Sequence, residues 1–229
     1  MSPIRRGLEC CAEWRWLIST GRRGVGFERI WLPKLSASNP ALEIFEWTAV
    51  ACEHTHHDHA EHEDLHRWLD IAAVEEAGVL LAEQMTRLDP AGAALYAKNS
   101  RAFSALCAEL KAELKDLFEP HQGRRFYVYH GAFGYFAEAF GLEQVALESE
   151  GREPSLRGLS NLITTARADG ARFVYIQPQI QAPSAQRLAE AIGAELIVLD
   201  PLAEQWASNL RSIAQTMADG FAAAPKSKE

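Results

Sequence analysis

The chain of 229 residues is poor in cysteine and carries more acidic than basic side chains. Its four cysteines, Cys10, Cys11, Cys52 and Cys107, form no CxxC pair, so neither a disulfide scaffold nor a cysteine-based zinc site is expected. Aspartate and glutamate number 31 against 23 lysines and arginines, a formal net charge of −8. That charge disfavours a nucleic acid as partner. The sequence has no apolar run of about 18 residues, so no membrane-spanning helix is predicted.

Several catalytic motifs are also missing. The sequence contains no HExxH, no GxSxG, no Walker loop and no GxGxxG after a predicted strand. Their absence disfavours hydrolases, nucleotidases and dehydrogenases. Histidine, in contrast, is concentrated, because six of the eight histidines fall in the thirteen residues from His54 to His66.

Most of these histidines lie in a polar stretch, residues 53–63, that has neither helical nor strand periodicity and is predicted to be a surface loop. The loop histidines are His54, His56, His57, His59 and His62. Closely spaced neutral imidazoles bind Zn²⁺, Ni²⁺ or Cu²⁺. A flexible loop loses entropy on ordering, so this site is expected to be weaker than a preformed one. The alternative is a solvated polar loop that binds metal only incidentally.

The order of predicted elements favours an α/β fold. Helical spacing from Asp89 to Glu119 predicts one helix of nearly 30 residues, on the order of 45 Å long. Beyond it, apolar strand patterns alternate with amphipathic helices, which predicts parallel strands flanked by helices. A helix this long in a small chain is expected to connect two lobes.

Polar residues follow the predicted strands, where open parallel sheets bind ligands. They are His130, Glu148 or Glu150, residues 177–179, and Asp200. His130 is a candidate metal ligand or merely a strand or helix cap. Asp200 precedes Pro201, so it is equally a candidate cap of a final helix.

A further histidine, His66, is predicted at the start of a helix that runs from Leu65 to about Leu88. Apolar Leu65, Trp68 and Leu69 bracket it, so we expect a fixed imidazole at a buried rim. The alternative is an exposed histidine that continues the composition of the loop.

Several segments, in order, resemble the zinc- and manganese-binding substrate-binding proteins of ABC importers. Residues 64–69 (DLHRWL) resemble the family's DPHxWL motif, with Leu65 in place of the usual proline. Residues 129–136 (YHGAFGYF) and 140–142 (FGL) resemble HxAFxYFxxxYGL. The family's further landmarks match residues 153–155, 177–179 and 200–202. The resemblance covers about residues 24 to 221, and an acidic, histidine-rich loop before the first motif is typical of zinc-specific members.

The resemblance implies two α/β lobes with parallel sheets, joined by one long helix, with a metal ion bound between them. The family's ligands match His66 and His130. Its last ligand, an aspartate in manganese binders, would fall near Glu204, where this chain has no aspartate, so Glu204, Asp200 or a water molecule is expected at that position. Zinc is the expected ion because it suits imidazole ligands, and manganese is the alternative. The resemblance also implies a non-enzymatic receptor, an ABC permease as partner and a periplasmic or cell-surface location; we expect a monomer.

The domain boundaries follow from this comparison. We expect a partial N-terminal lobe in residues 1–88, a linking helix in 89–119, a C-terminal lobe in 120–222 and a disordered tail in 223–229. The family's first strands and its PHxYEP motif have no counterpart here, so the first lobe is expected to be incomplete. No signal peptide is recognised, since the first 20 residues lack an apolar core segment.

Two other functions are kept open. One is a zinc hydrolase in which Glu148, Glu150 or Glu204 acts as general base beside a metal-bound water. The other is a truncated remnant that binds metal only through the histidine loop.

Overall fold

A computed structural model describes residues 16–19, 26–46, 64–149 and 151–222. The histidine loop and the tail after residue 222 therefore lie outside the described residues. The chain divides into two compact units, Met1–Trp68 with Ala72–Cys107 and Leu69–Ile71 with Ala108–Glu229. None of the helices in the described ranges is long and apolar enough to cross a membrane.

Among its described residues, the first unit contains a pair of parallel strands and three α-helical segments. Its elements are β1 (Trp16–Ser19), α1 (Gly26–Ser38), β2 (Glu43–Glu46), α2 (Ile71–Leu88) and the first part of α3 (Ala93–Phe118). Strands β1 and β2 pair from Trp16 with Glu43 to Ser19 with Glu46. The Glu43 carboxylate accepts hydrogen bonds from Gln84 (3.1 Å) and Arg87, which tie β2 to α2.

The long helix α3 has 26 residues, and its residues 93–107 belong to the first unit and 108–118 to the second. Short 3₁₀ turns, Pro90–Gly92 and Glu119–His121, flank it, so the regular helix is shorter than the nearly 30 residues predicted. Pro120 accounts for the C-terminal limit, because it lacks the amide hydrogen that a continuing helix needs.

The second unit is a four-stranded parallel sheet with helices in the connections. Its elements are β3 (Arg125–Val128), α4 (Gly134–Ala139), β4 (Glu143–Ala146), α5 (Leu156–Ala168), β5 (Phe173–Ile176), α6 (Pro183–Ile192), β6 (Glu195–Val198) and α7 (Trp206–Ala222). The strand order is β4-β3-β5-β6. All four strands point the same way, so the residues that follow them lie along one edge of the sheet.

Apolar strands make the core of this unit. Tyr127, Val174 and Leu188 are fully buried members of one cluster between the sheet and helices α5 and α6. Continuous apolar strands are the pattern expected of a parallel sheet covered on both faces. The predicted α/β fold class is confirmed.

Helix α5 begins with a side-chain cap. The Ser155 hydroxyl accepts a hydrogen bond from the Gly158 backbone N–H (3.1 Å). Replacing Ser155 with alanine is expected to destabilise the second unit by about 1 kcal/mol, because one amide at the helix start loses its partner. Urea unfolding followed by circular dichroism measures the change. Ser160→Ala, an exposed position within the same helix, is the control, and an equal loss in both variants would contradict the capping role.

Candidate metal site

His130 lies just beyond the end of β3, and its ring is held by a carboxylate that follows the next strand, β4. Its Nδ1 lies 2.6 Å from Oε1 of Glu148, whose side chain is only 6% exposed. The other carboxylate oxygen, Oε2, accepts a hydrogen bond from the backbone N–H of Gly151. Both oxygens of Glu148 are therefore engaged, one of them by the imidazole ring.

His130 and Phe133 lie in the turn that follows β3. The backbone of this turn is held by two amide side chains. Nε2 of Gln177, which follows β5, donates to the His130 carbonyl oxygen at 2.9 Å. Oε1 of Gln144, in β4, accepts from the backbone N–H of Phe133 at 2.7 Å. The Ala132 N–H also donates to the His130 carbonyl (2.8 Å). Neighbouring strands thus hold the turn that carries His130.

His66 is held by a carboxylate from its own segment. Oδ1 of Asp64 lies 2.7 Å from the ring Nδ1 and also accepts from the His66 backbone N–H at 2.9 Å. The ring of Trp68 packs edge-on against the imidazole, with 5.1 Å between ring centroids. The prediction that His66 begins a helix is wrong: a 3₁₀ turn, Arg67–Leu69, follows it and α2 starts at Ile71. Asp64 instead forms a local bond to the His66 backbone, ahead of the 3₁₀ turn.

The two histidines share one chemical arrangement. An ionised carboxylate only accepts hydrogen bonds, so each Nδ1 carries the hydrogen, and Nε2 is the nitrogen whose lone pair can bind a metal. Metal-binding histidines commonly donate their second ring nitrogen to a carboxylate in this way, which fixes the tautomer and raises the basicity of the ligand nitrogen. The Nδ1–carboxylate contacts of His66 and His130 follow this pattern.

Asp200 lies at the carboxyl edge of the same sheet as His130 but does not cap a helix. Its Oδ1 accepts from the Leu202 N–H and from Gln179 Nε2, both at 3.0 Å. The predicted helix from Pro201 is wrong, because α7 begins at Trp206. The Asp200 carboxylate bonds the backbone N–H two residues ahead and so closes a local turn. Aspartate side chains compete with helix formation through local bonds of this kind. Glu204 is exposed in the segment that follows.

A complete set of ligands is not assembled within the described ranges. Among those residues, no group of three or more His, Cys, Asp or Glu side chains is arranged to hold a metal ion. The five loop histidines and Glu150 lie outside the described residues. Cys107 is buried, and burial raises the pKa of its thiol to about 11, which disfavours the thiolate that binds metals.

Sequence reasoning missed the partners of the two histidines. The sequence pattern predicts no role for Asp64, and it predicts Glu148 only as a polar residue after a strand or, in the alternative hydrolase, as a general base. The partner of His130 depends on the strand register of the folded chain: β3 and β4 pair from Arg125 with Glu143, an offset that also puts His130 beside Glu148.

The family model that matches the chain is ZnuA, the periplasmic component A of the zinc-uptake complex, over residues 22–220. The high-affinity zinc uptake protein ZnuA of Paracoccus denitrificans is 34% identical over 166 residues, which make up 68% of this chain and 51% of that protein. The chain thus spans about half the length of the curated relatives it matches.

Solved structures agree with this assignment. A crystal structure of ZnuA is similar with a TM-score of 0.85 and 32% identity, covering 96% of this chain and 85% of that one. A ZnuA deletion mutant with zinc bound is similar with a TM-score of 0.86 and 32% identity, covering 98% and 85%. The α/β fold, the motif order and the match over residues 22–220 lead to one conclusion: the chain belongs to the ZnuA family of zinc-uptake components.

Proposed function

We propose that this protein is a receptor that binds Zn²⁺ as its cargo and delivers it to the permease of an ABC importer. The observation that carries the proposal is the pairing of both motif histidines with a carboxylate through Nδ1, at 2.7 Å for His66 and 2.6 Å for His130. This arrangement presents Nε2 to a metal. Family membership supports zinc as the ion, since the related proteins are named for zinc uptake.

His66 and His130 are the proposed imidazole ligands of the zinc ion. Asp200 and Glu204 are the proposed sources of a carboxylate ligand; Oδ1 of Asp200 already holds two hydrogen bonds, which leaves Oδ2 as its candidate donor atom. The five loop histidines are proposed to bind further ions weakly. Manganese is the second choice because it prefers more oxygen ligands than this set supplies.

The remaining features of the proposal rest on the family. We propose that the protein acts as a monomer, without enzymatic activity or nucleic-acid binding, in the periplasm or at the cell surface. Its proposed organisation is an N-terminal lobe in residues 1–88, a linking helix in 89–119 and a C-terminal lobe in 120–222. The family description names a periplasmic component, which supports the location.

Calorimetric titration of the full chain with zinc and, separately, with manganese tests the proposal. One tight zinc site is expected, with weaker further binding, and manganese should bind at least about tenfold more weakly because imidazole sites favour zinc. A chain that binds zinc only weakly would contradict the receptor function. A tight site that prefers manganese would contradict zinc as the cargo.

A further inference from the structure

We infer that Glu148 and Gln177 are positioning residues that hold His130 in its metal-binding conformation, one through the ring and the other through the backbone. The inference rests on the proposed function, because it concerns how the zinc ligand of the second unit is prepared. Both residues follow strands that flank the one before His130, Glu148 after β4 and Gln177 after β5. They act on His130 from opposite sides of β3.

Glu148 fixes the ring. Its carboxylate is almost fully buried and lies 2.6 Å from Nδ1, while Oε2 is held by the Gly151 N–H. With its second oxygen anchored, the carboxylate cannot turn away without breaking that bond. A buried ionised carboxylate requires hydrogen-bond donors, so it keeps the hydrogen on Nδ1 and the lone pair on Nε2.

Gln177 fixes the backbone at a cost to stability. The residue is only 2% exposed, and its Nε2 donates to the His130 carbonyl. Its Oε1 is buried and has no hydrogen-bond partner among the described residues. A buried polar atom without a partner destabilises a fold, and an apolar side chain of the same size would avoid that loss. An amide here serves the turn that carries His130 rather than the stability of the core.

Three variants separate positioning from folding. Glu148→Gln keeps the size of the side chain and removes its charge, and Gln177→Met keeps the volume and removes the bond to the His130 carbonyl. Glu143→Gln is the matched control, since it makes the same chemical change at the exposed start of β4. The measurements are zinc affinity by calorimetry, urea unfolding, and the tautomer of the His130 ring in metal-free protein by ¹⁵N NMR.

Glu148→Gln is expected to weaken zinc binding about 10- to 100-fold, the range found for residues that orient metal ligands, and to lower the population of the Nδ1–H tautomer. Gln177→Met is expected to weaken zinc binding about tenfold while its unfolding midpoint stays the same or rises. In Gln177→Met the zinc affinity would then fall without a loss of stability to unfolding, which a purely structural role of Gln177 would not produce. Glu143→Gln should leave zinc affinity unchanged.

The outcomes separate this inference from the proposed function. If His130→Ala abolishes the tight site but Glu148→Gln and Gln177→Met bind zinc like Glu143→Gln, the positioning role is wrong and the receptor function stands. If His130→Ala leaves zinc binding intact, the proposed function is wrong. A parent spectrum in which His130 carries its hydrogen on Nε2 would overturn the role of Glu148 even if the Gln variant failed to fold.

Discussion

Replacing both His66 and His130 with alanine is expected to abolish the tight zinc site and to leave only weak binding of several ions. In the proposed site each histidine binds zinc through Nε2, while its Nδ1 lies beside a carboxylate, Asp64 for His66 and Glu148 for His130. Losing both imidazoles removes two nitrogen ligands, so the affinity should fall by at least the factor of about 100 that loss of a single supporting residue can cause. Calorimetric zinc titration of parent and variant measures the change.

The single variants test whether one ion uses both histidines. If it does, His66→Ala and His130→Ala each remove the tight site, and the double variant is no worse than either. Independent sites would instead give losses that add. His121→Ala is the control: this histidine packs against Phe221, at 5.4 Å between ring centroids, and has no proposed part in metal binding. A double variant that still binds zinc tightly would contradict the assignment of both ligands.

The sequence allowed a good prediction of the second unit because its signals are local. Strands such as 173–176 are continuously apolar, and Ser155, a residue type typical of helix starts, caps α5. Gly141, two residues after α4, has a positive φ (66°), a conformation that favours glycine, and a side chain there would also collide with Gln122. These features depend on a few neighbouring residues, so their pattern is readable without knowledge of the fold.

The errors occur where polar side chains compete with the helix. Asp64 and Asp200 each accept a backbone hydrogen bond two residues ahead, at His66 and Leu202, and regular helix begins only later. Apolar spacing continues through both segments, so periodicity alone predicts helices that start too early. The same local bonds determine how His66 is presented, which is why the site was less predictable than the fold.

The partner of His130 was unpredictable for a different reason. Glu148 is 18 positions away in sequence and becomes its neighbour only through the register of β3 on β4. Several registers are compatible with two short apolar strands. The sequence indicates only that the partner of His130 is one of the polar residues that follow strands. Which of them it is, Glu148, depends on the tertiary structure.

The largest stability effect is expected from Phe118, the last residue of the long helix α3. Its side chain is fully buried in the second unit and contacts the rings of Phe136 and Phe140, at 5.9 and 5.7 Å between centroids. Phe136 and Phe140 also contact each other at 5.0 Å, so the three rings form a closed cluster. This cluster joins the end of α3 to the helix that follows the His130 turn.

Phe118→Ala is expected to destabilise the second unit by about 3–5 kcal/mol, because it removes a buried ring and leaves a cavity that the neighbouring rings can only partly fill. Urea unfolding by circular dichroism measures the loss. Leu95→Ala, at a position of the same helix that is 57% exposed, is the control and should change stability by less than about 0.5 kcal/mol. A Phe118 variant as stable as the Leu95 variant would show that the end of α3 is not anchored through this cluster.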